Sequence, residues 1–161
     1  MKTKYAALIV IFILLFVGSL VYFLRDEEEV KDMNIESISY LRFFYTQGYA
    51  INADVSYEID CGDKCIATIK PYGKSDEEAI EVIIDEDILN RIIDVLNKYT
   101  VVKWDGFNKS DNGVLDGDTF TFNLDYNKDI NIYASGYMRW PDNYREVKEE
   151  LDSIFNSLME E

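Results

Sequence analysis

Two cysteines, Cys61 and Cys65, are the residues whose type and spacing point most directly to chemistry. They flank Gly62-Asp63-Lys64, between two segments that read as strands. A three-residue loop places its flanking residues opposite each other, at a separation that a disulfide can bridge. The pattern predicts a structural disulfide outside the cell, where such bonds form; reduced thiols in a cytosolic domain are the alternative.

A metal site or redox centre at these cysteines needs residues that the sequence does not supply. It has no histidine and no third cysteine, and a redox pair is expected as Cys-x-x-Cys at the start of a helix. No glycine-rich phosphate loop is present. With 31 acidic residues, some carboxylate pair suited to glycoside hydrolysis is inevitable and therefore uninformative. We predict no enzyme, no cofactor and no catalytic or metal-binding residues.

The segment Asn108-Lys109-Ser110-Asp111-Asn112-Gly113 resembles half of a calcium-binding loop. Counted from Asn108, the twelfth position is Thr119, where such a loop carries a bidentate glutamate. Asn, Asp and Gly are also the residues that tight turns favour. We therefore interpret this segment as a turn.

A set of aromatic residues could line a ligand groove or fill the core, and we favour the core. Its members are Tyr40, Phe43, Phe44, Tyr45, Tyr49, Tyr133, Tyr137 and Trp140.

The elements that position these residues follow from hydrophobic periodicity. Residues 51–60 alternate apolar and polar, which is typical of an antiparallel strand with one wet face. Strands are also predicted at 38–46, 65–72, 79–84, 119–124 and 130–134, with a hairpin turn at Asn127-Lys128. We expect residues 100–104 to be extended and 105–118 to form a loop.

Helical spacing appears twice. After Asp85, a plausible N-cap, apolar residues recur through Tyr99; after Pro141 they recur from Tyr144 to Leu158. The predicted order is ββββ-α-ββ-α. The fold class is therefore α+β: a mainly antiparallel sheet of about six strands, with both helices on one face and the other face either polar or available to a partner.

Residues Tyr5 to Leu24 form an uncharged apolar stretch of 20 residues, long enough as a helix to span the ~30 Å hydrocarbon core of a bilayer. We interpret it as an uncleaved signal anchor; a cleaved signal peptide is the alternative. The expected organisation is a cytoplasmic tail (1–4), a transmembrane helix (5–24), an acidic juxtamembrane linker (25–34) and an extracytoplasmic α+β domain (35–161).

The basic flanking residues do not decide orientation. Two precede the span, Lys2 and Lys4, and two follow it, Arg25 and Lys31. The prediction of a single-pass protein of the cell membrane with its C-terminal domain outside depends on the signal-like N-terminus and on the cysteines.

The charge distribution restricts the class of partner. The residues after Leu24 contain 14 basic and 31 acidic side chains, a net charge of −17. Such a field disfavours nucleic acid and anionic membrane surfaces and attracts a basic protein or peptide. Simple solubility explains the same charge.

Four motifs of the C-terminal half stand out: Trp104-Asp105-Gly106-Phe107, Val114-Leu115-Asp116-Gly117, Ala134-Ser135-Gly136 and Pro141-Asp142-Asn143-Tyr144. In these motifs the C-terminal half is similar to a family of small cell-surface domains of Gram-positive bacteria, many of them lipid-anchored or signal-anchored. It implies an extracytoplasmic location and an α+β fold, but no activity, because the family is itself uncharacterised. The chain lacks the lipobox cysteine of the family's lipoproteins, so the apolar span is the expected anchor.

Together these features predict a membrane-anchored binding or interaction domain with a possible protein partner. One alternative is an inhibitor or immunity-type protein that neutralises a basic partner. The other is a carboxylate-based hydrolase of the cell envelope. The sequence fixes neither the ligand nor the oligomeric state.

Overall fold

Alternating apolar residues build a sheet in the computed structural model, which describes residues 34–47, 51–111, 113–128 and 130–160. Ile35–Glu161 form one compact unit. The strands are β1 (Ile38–Thr46), β2 (Asp54–Cys61), β3 (Cys65–Lys70), β4 (Ile80–Ile84), β5 (Asn108–Ser110), β6 (Thr119–Tyr126) and β7 (Ile130–Tyr137); the helices are α1 (Glu86–Lys98) and α2 (Tyr144–Ser157), with short 3₁₀ helices η1 (Asp76–Glu78) and η2 (Val101–Trp104).

The strands form one sheet in the order β4-β3-β2-β1-β6-β7-β5. Every neighbouring pair is antiparallel except β5 and β7, which run parallel. The predicted fold class is confirmed at this level: a mixed α+β fold with one mainly antiparallel sheet and two described α-helices.

Both helices cover the same face of the sheet. Leu41, Phe43 and Phe122 point from the central strands into a single buried cluster that also contains Ile92 of α1 and Phe155 of α2. The ring of Phe155 stacks on Tyr57 of β2 at 4.3 Å. Burial of these large side chains is the main stabilising contribution, at roughly 1.5–3 kcal/mol for each one. The polar residues that alternate with them lie on the opposite side, which we call the open face.

Local signals place the helix ends and one hairpin as the sequence predicts. Asp85 caps α1, and its carboxylate accepts a hydrogen bond from the Ile88 backbone N–H at 3.0 Å. Asn127 and Lys128 both have positive φ in the turn between β6 and β7. Pro141 precedes α2, which begins three residues later at Tyr144.

Two local predictions are wrong. The order is ββββ-α-βββ-α, because β5 lies inside the segment predicted to be a loop. Its three exposed residues have no apolar pattern, and only pairing with β7 makes them a strand. Residues 101–104 form η2 instead of an extended segment, because Thr100 adopts a left-handed conformation and Trp104 is buried.

The alternating pattern of the second strand also extends too far in the prediction. Ile51 is 91% exposed and lies in a turn, so the buried face begins at Ala53. In the described part of the chain, no helix is both long enough and apolar enough to cross a membrane. The predicted span, residues 5–24, lies outside the described residues, as does most of the predicted linker.

Candidate functional site

Cys61 and Cys65 lie where the sequence places them, at the two ends of the β2–β3 hairpin. They are cross-strand partners in the register of the sheet and are joined as a disulfide. The predicted proximity of the two cysteines is therefore confirmed. The bond closes the hairpin tip, with both cysteines packed against the core, so it holds the ends of β2 and β3 in one register.

The open face is built from rows of residues that run across the strands. One row contains Glu81, Thr68, Glu58, Arg42, Asn123 and Tyr133, as successive cross-strand partners from β4 to β7. The next row contains Ile83, Ile66, Asp60, Tyr40, Asp125 and Asn131. Carboxylates outnumber cations in both rows, and the apolar residues of this face collect on β3 and β4.

A cavity of about 530 Å³ lies on the β4 side of this face, and we call it the acidic hollow. Its lining residues are Glu58, Asp60, Gly62, Asp63, Lys64, Ile66, Thr68 and Glu81. Glu58 faces Arg42 at 3.8 Å, whereas Asp60 and Glu81 make no ion pair with any residue that the structure describes. Ile66, which is 40% exposed, supplies an apolar floor among these carboxylates.

The hollow adjoins a free edge of the sheet. β4 is the last strand on this side, and among the described residues its backbone pairs only with β3. Ile83 is 63% exposed beside it. An edge strand presents unpaired N–H and C=O groups, which another extended chain can pair with.

Lys70 marks the other end of β3 and is 7% exposed. Its ammonium group donates to the carboxylates of Asp54 on β2 and Asp76 on η1. These hydrogen bonds, with Asp54 as the larger cause, raise the pKa of Lys70 above its ordinary value. They also lower the pKa of Asp76. The charge of Lys70 is therefore balanced by Asp54 and Asp76, and within the lining of the hollow one cation, Lys64, stands against four carboxylates.

A second polar cluster lies on the helix-covered side, around Asp152 of α2. One carboxylate oxygen accepts the hydroxyl hydrogens of Tyr45 at 2.7 Å and Tyr57 at 2.9 Å. The other accepts from Lys148 at 2.7 Å, and the ammonium of Lys148 also lies 4.2 Å from the centre of the Tyr45 ring. Burial, followed by these contacts, raises the pKa of both phenols. This cluster ties α2 to β1 and β2 of the sheet.

Two surface carboxylates with a shifted pKa, Glu78 and Glu150, are held by hydrogen bonds from neighbouring residues. Hydrogen bonds from Lys98 and Tyr99 lower the pKa of Glu150. The backbone N–H of Ser75, and then Lys74, lower the pKa of Glu78 to about 2. A general acid requires a raised carboxyl pKa, which is the opposite shift.

The calcium-like segment forms a strand followed by a turn. Asn108–Ser110 are β5, and the carboxylate of Asp111 accepts a hydrogen bond from the backbone N–H of Gly113 at 3.1 Å. That bond is the local geometry of an Asx turn. Asn112 lies outside the described residues, and no group of three metal-binding side chains occurs among those described.

The aromatic residues divide between core and surface, which the preference for the core did not anticipate. Phe43 and Tyr45 are buried, but Tyr133 is 51% exposed on the open face and Trp140 is 38% exposed. The ring of Trp140 stacks on Tyr144 at 4.8 Å. Tyr49 lies outside the described residues.

No protein-family model matches this chain, and no curated protein matches it in sequence. The resemblance to Gram-positive cell-surface domains therefore stays a prediction.

Proposed function

We propose that the protein is a membrane-anchored, extracytoplasmic binding domain that docks an extended, basic segment of a partner protein along β4. The observation that carries this proposal is the acidic hollow beside the free edge of β4. The edge supplies main-chain partners for an added strand. The hollow supplies carboxylates for its lysine or arginine side chains, and Ile66 supplies apolar surface for their aliphatic stems.

The negative charge of the open face favours a basic partner. The exposed face carries Asp60 and Glu81 without cationic partners among the described residues, in a chain whose net charge is −15. A basic segment is attracted over a distance of about one Debye length, ~8 Å at physiological salt, and an acidic segment is repelled. Affinity therefore falls as the salt concentration rises.

A peptide with alternating lysine and valine tests the docking mode, because its lysines point to one side when it is extended. The full-length protein in nanodiscs is titrated and followed by backbone NMR. We expect the NMR chemical shifts of the β4 amides to change on titration, and we expect the peptide to bind more weakly at high salt. A peptide with alternating lysine and proline has the same charge but lacks half of the N–H donors, and it should bind about tenfold more weakly.

Matched charge reversals locate the contact. The double substitution Asp60→Lys/Glu81→Lys alters the hollow, and Asp94→Lys/Glu146→Lys makes the same change in net charge at exposed helix positions. We expect the first to lower peptide affinity about tenfold and the second to lower it about twofold. An equal loss of peptide affinity in the two variants would overturn the proposal. So would a titration in which the chemical shifts of the β4 amides do not change.

An inhibitor or immunity-type role is the second candidate, and the same unpaired carboxylates favour it. The two roles differ in outcome: an inhibitor abolishes the activity of the basic partner in stoichiometric complex. A binding domain leaves that activity intact. An activity assay of a partner, with and without one equivalent of this protein, separates them.

The proposed location has its own test. In a Cys61→Ser/Cys65→Ser background, Lys64→Cys places one thiol at the exposed hairpin tip. On intact cells we expect a membrane-impermeant maleimide to label it, and wild-type Cys61 and Cys65 to be unreactive until reduced. Labelling only after lysis, or free thiols in the native protein, would place the domain in the cytosol instead.

A further inference from the structure

Trp140 is the shared wall of three adjoining cavities, of about 310, 410 and 380 Å³, on the side of the molecule formed by η2, β5 and the start of α2. We call this region the Trp140 cleft. It is separate from the acidic hollow, with which it shares no lining residue. The lining of the first two cavities is mainly aromatic and cationic, whereas that of the hollow is mainly acidic.

Aromatic rings form the body of the cleft. Trp140 and Phe107 line the first two cavities together. One side of the indole stacks on Tyr144 at 4.8 Å, with an angle of 19° between the rings, and the indole also contacts Phe120 at 5.6 Å. A ring that is held on one side and remains 38% exposed is a preorganised platform for a ligand.

Cations surround this platform, although the protein as a whole is acidic. Lys103 and Lys109 line the first cavity, and Lys109 and Arg139 line the second. Arg139 is paired with Asp111 at 3.0 Å. Lys103 and Lys109, in contrast, make no ion pair within the described residues, and the ammonium of Lys109 lies 5.2 Å from the centre of the Phe107 ring.

Asp142 is the one carboxylate that lines the first cavity, and its backbone carbonyl accepts a hydrogen bond from the indole N–H of Trp104 at 2.9 Å. That bond fixes the segment before α2 against η2, the helix that carries Lys103. In the first cavity the two lysines therefore outnumber the carboxylate, whereas one acidic residue, Asp118, and one basic residue, Lys148, line the third. The cleft favours a ligand with one or two negative charges, whereas the charge of the whole protein repels a long polyanion.

We propose that the Trp140 cleft binds a short acidic saccharide, with a sugar ring stacked on Trp140 and its acidic group held by Lys103 and Lys109. The volumes of the cavities suit one or two sugar rings, near the lower end of small-ligand sites. The acidic group is a carboxylate or a phosphate, since an ammonium group binds either one as a point charge.

Calorimetry on the full-length protein in nanodiscs tests this site with three probes. They are a hyaluronan tetrasaccharide, which carries carboxylates, mannose 6-phosphate, and neutral cellotetraose. We expect saturable binding of at least one acidic probe, about tenfold tighter than that of cellotetraose. The acidic probe that binds more tightly shows whether the acidic group is a carboxylate or a phosphate. Binding should change the tryptophan fluorescence, and because Trp104 also lines the first cavity, loss of the change in Trp140→Phe assigns the signal to Trp140.

Variants separate the site from general charge. Lys103→Gln/Lys109→Gln removes two exposed cations without touching the core, and we expect it to weaken binding about tenfold. Lys128→Gln, at the exposed β6–β7 turn, should leave the affinity unchanged within about twofold. Trp140→Phe keeps a ring in place and should weaken binding by a smaller factor. No binding of either acidic probe, or equal binding by the Lys103→Gln/Lys109→Gln protein, would overturn the proposal.

Discussion

Asp152 shows how much a single side chain can decide in this fold. It accepts hydrogen bonds from two phenols and one ammonium group, and those phenols lie on strands that are far from α2 in sequence. In the unfolded chain both phenol groups hydrogen-bond to water. In the folded protein, removal of the carboxylate leaves them buried beside an unpaired Lys148.

We therefore expect Asp152→Ala to lower the free energy of unfolding by about 2–4 kcal/mol, since each buried donor left without a partner costs about 1–3 kcal/mol. Glu149→Ala is the control on the same helix, because among the described residues its carboxylate pairs only with exposed Arg145. That change should cost less than about 1 kcal/mol. Urea denaturation measures both, and similar losses for the two variants would contradict the role assigned to Asp152.

Glu78 gives a pH-dependent prediction at the same scale. Its pKa is lowered from an ordinary value of 4.5 to about 2, first by the backbone N–H of Ser75 and then by Lys74. A lowered pKa stabilises the fold at every pH above 4.5, and that stabilisation is lost as the pH falls from 4.5 through about 2.

An NMR titration of Glu78 should give a midpoint near 2, and the stability difference between wild type and Glu78→Gln should shrink across the same interval. A midpoint at the ordinary value of 4.5 would show that the hydrogen bonds around Ser75 do not persist in solution.

At the scale of elements, Gly136 lies where β7 passes under a ring. A Cβ atom there would meet the carbonyl oxygen of Arg139 at 2.1 Å and the Phe120 ring at 2.5 Å. The oxygen belongs to the backbone and cannot rotate away. Only glycine fits, so this residue of the Ala134-Ser135-Gly136 motif serves the fold.

We expect Gly136→Ala to destabilise the protein by about 3 kcal/mol or more, because it forces backbone movement in a packed region. Gly62→Ala is the matched control, since nothing lies within 4 Å of the added Cβ atom. It should change stability by less than about 1 kcal/mol. Thermal unfolding compares the two variants. A Gly136→Ala protein as stable as wild type would show that the carbonyl oxygen of Arg139 does not lie against Gly136 in solution.

The sequence was informative where an element is defined by its own residues. The alternation of residues 51–60 and the Cys61–Cys65 spacing predicted the β2–β3 hairpin, although β2 begins only at Asp54, and Asp85 predicted the start of α1. It was uninformative where structure depends on distant contacts. β5 exists through its pairing with β7, and η2 through the burial of Trp104 against α2 and the sheet.

The candidate site was predictable in the same uneven way. Strand alternation places Glu58 and Asp60 on the wet side of β2. Their approach to Glu81 depends on two successive strand registers, which local periodicity does not contain. The Trp140 cleft was harder still, because it joins η2, β5 and the segment before α2, and the first two of these were assigned incorrectly from sequence.

At the scale of the whole molecule, charge and topology act together. The sheet buries one face under two helices, and no described helix covers the other face, which carries the carboxylates of the acidic hollow. The sequence order gives no hint that β1 lies in the centre between β2 and β6. That arrangement puts β4, the edge strand with exposed isoleucines, beside the acidic hollow.

The most direct measurement is photo-crosslinking of the full-length protein on intact cells, with the reactive group at Ile83 on β4 and, as a control, at Ile51, which is exposed in a turn outside β4. The account predicts a basic protein crosslinked at Ile83, absent at Ile51, lost in Asp60→Lys/Glu81→Lys and kept in Asp94→Lys/Glu146→Lys. Identical adducts at both positions, or an Ile83 adduct that survives reversal of the hollow, would contradict it.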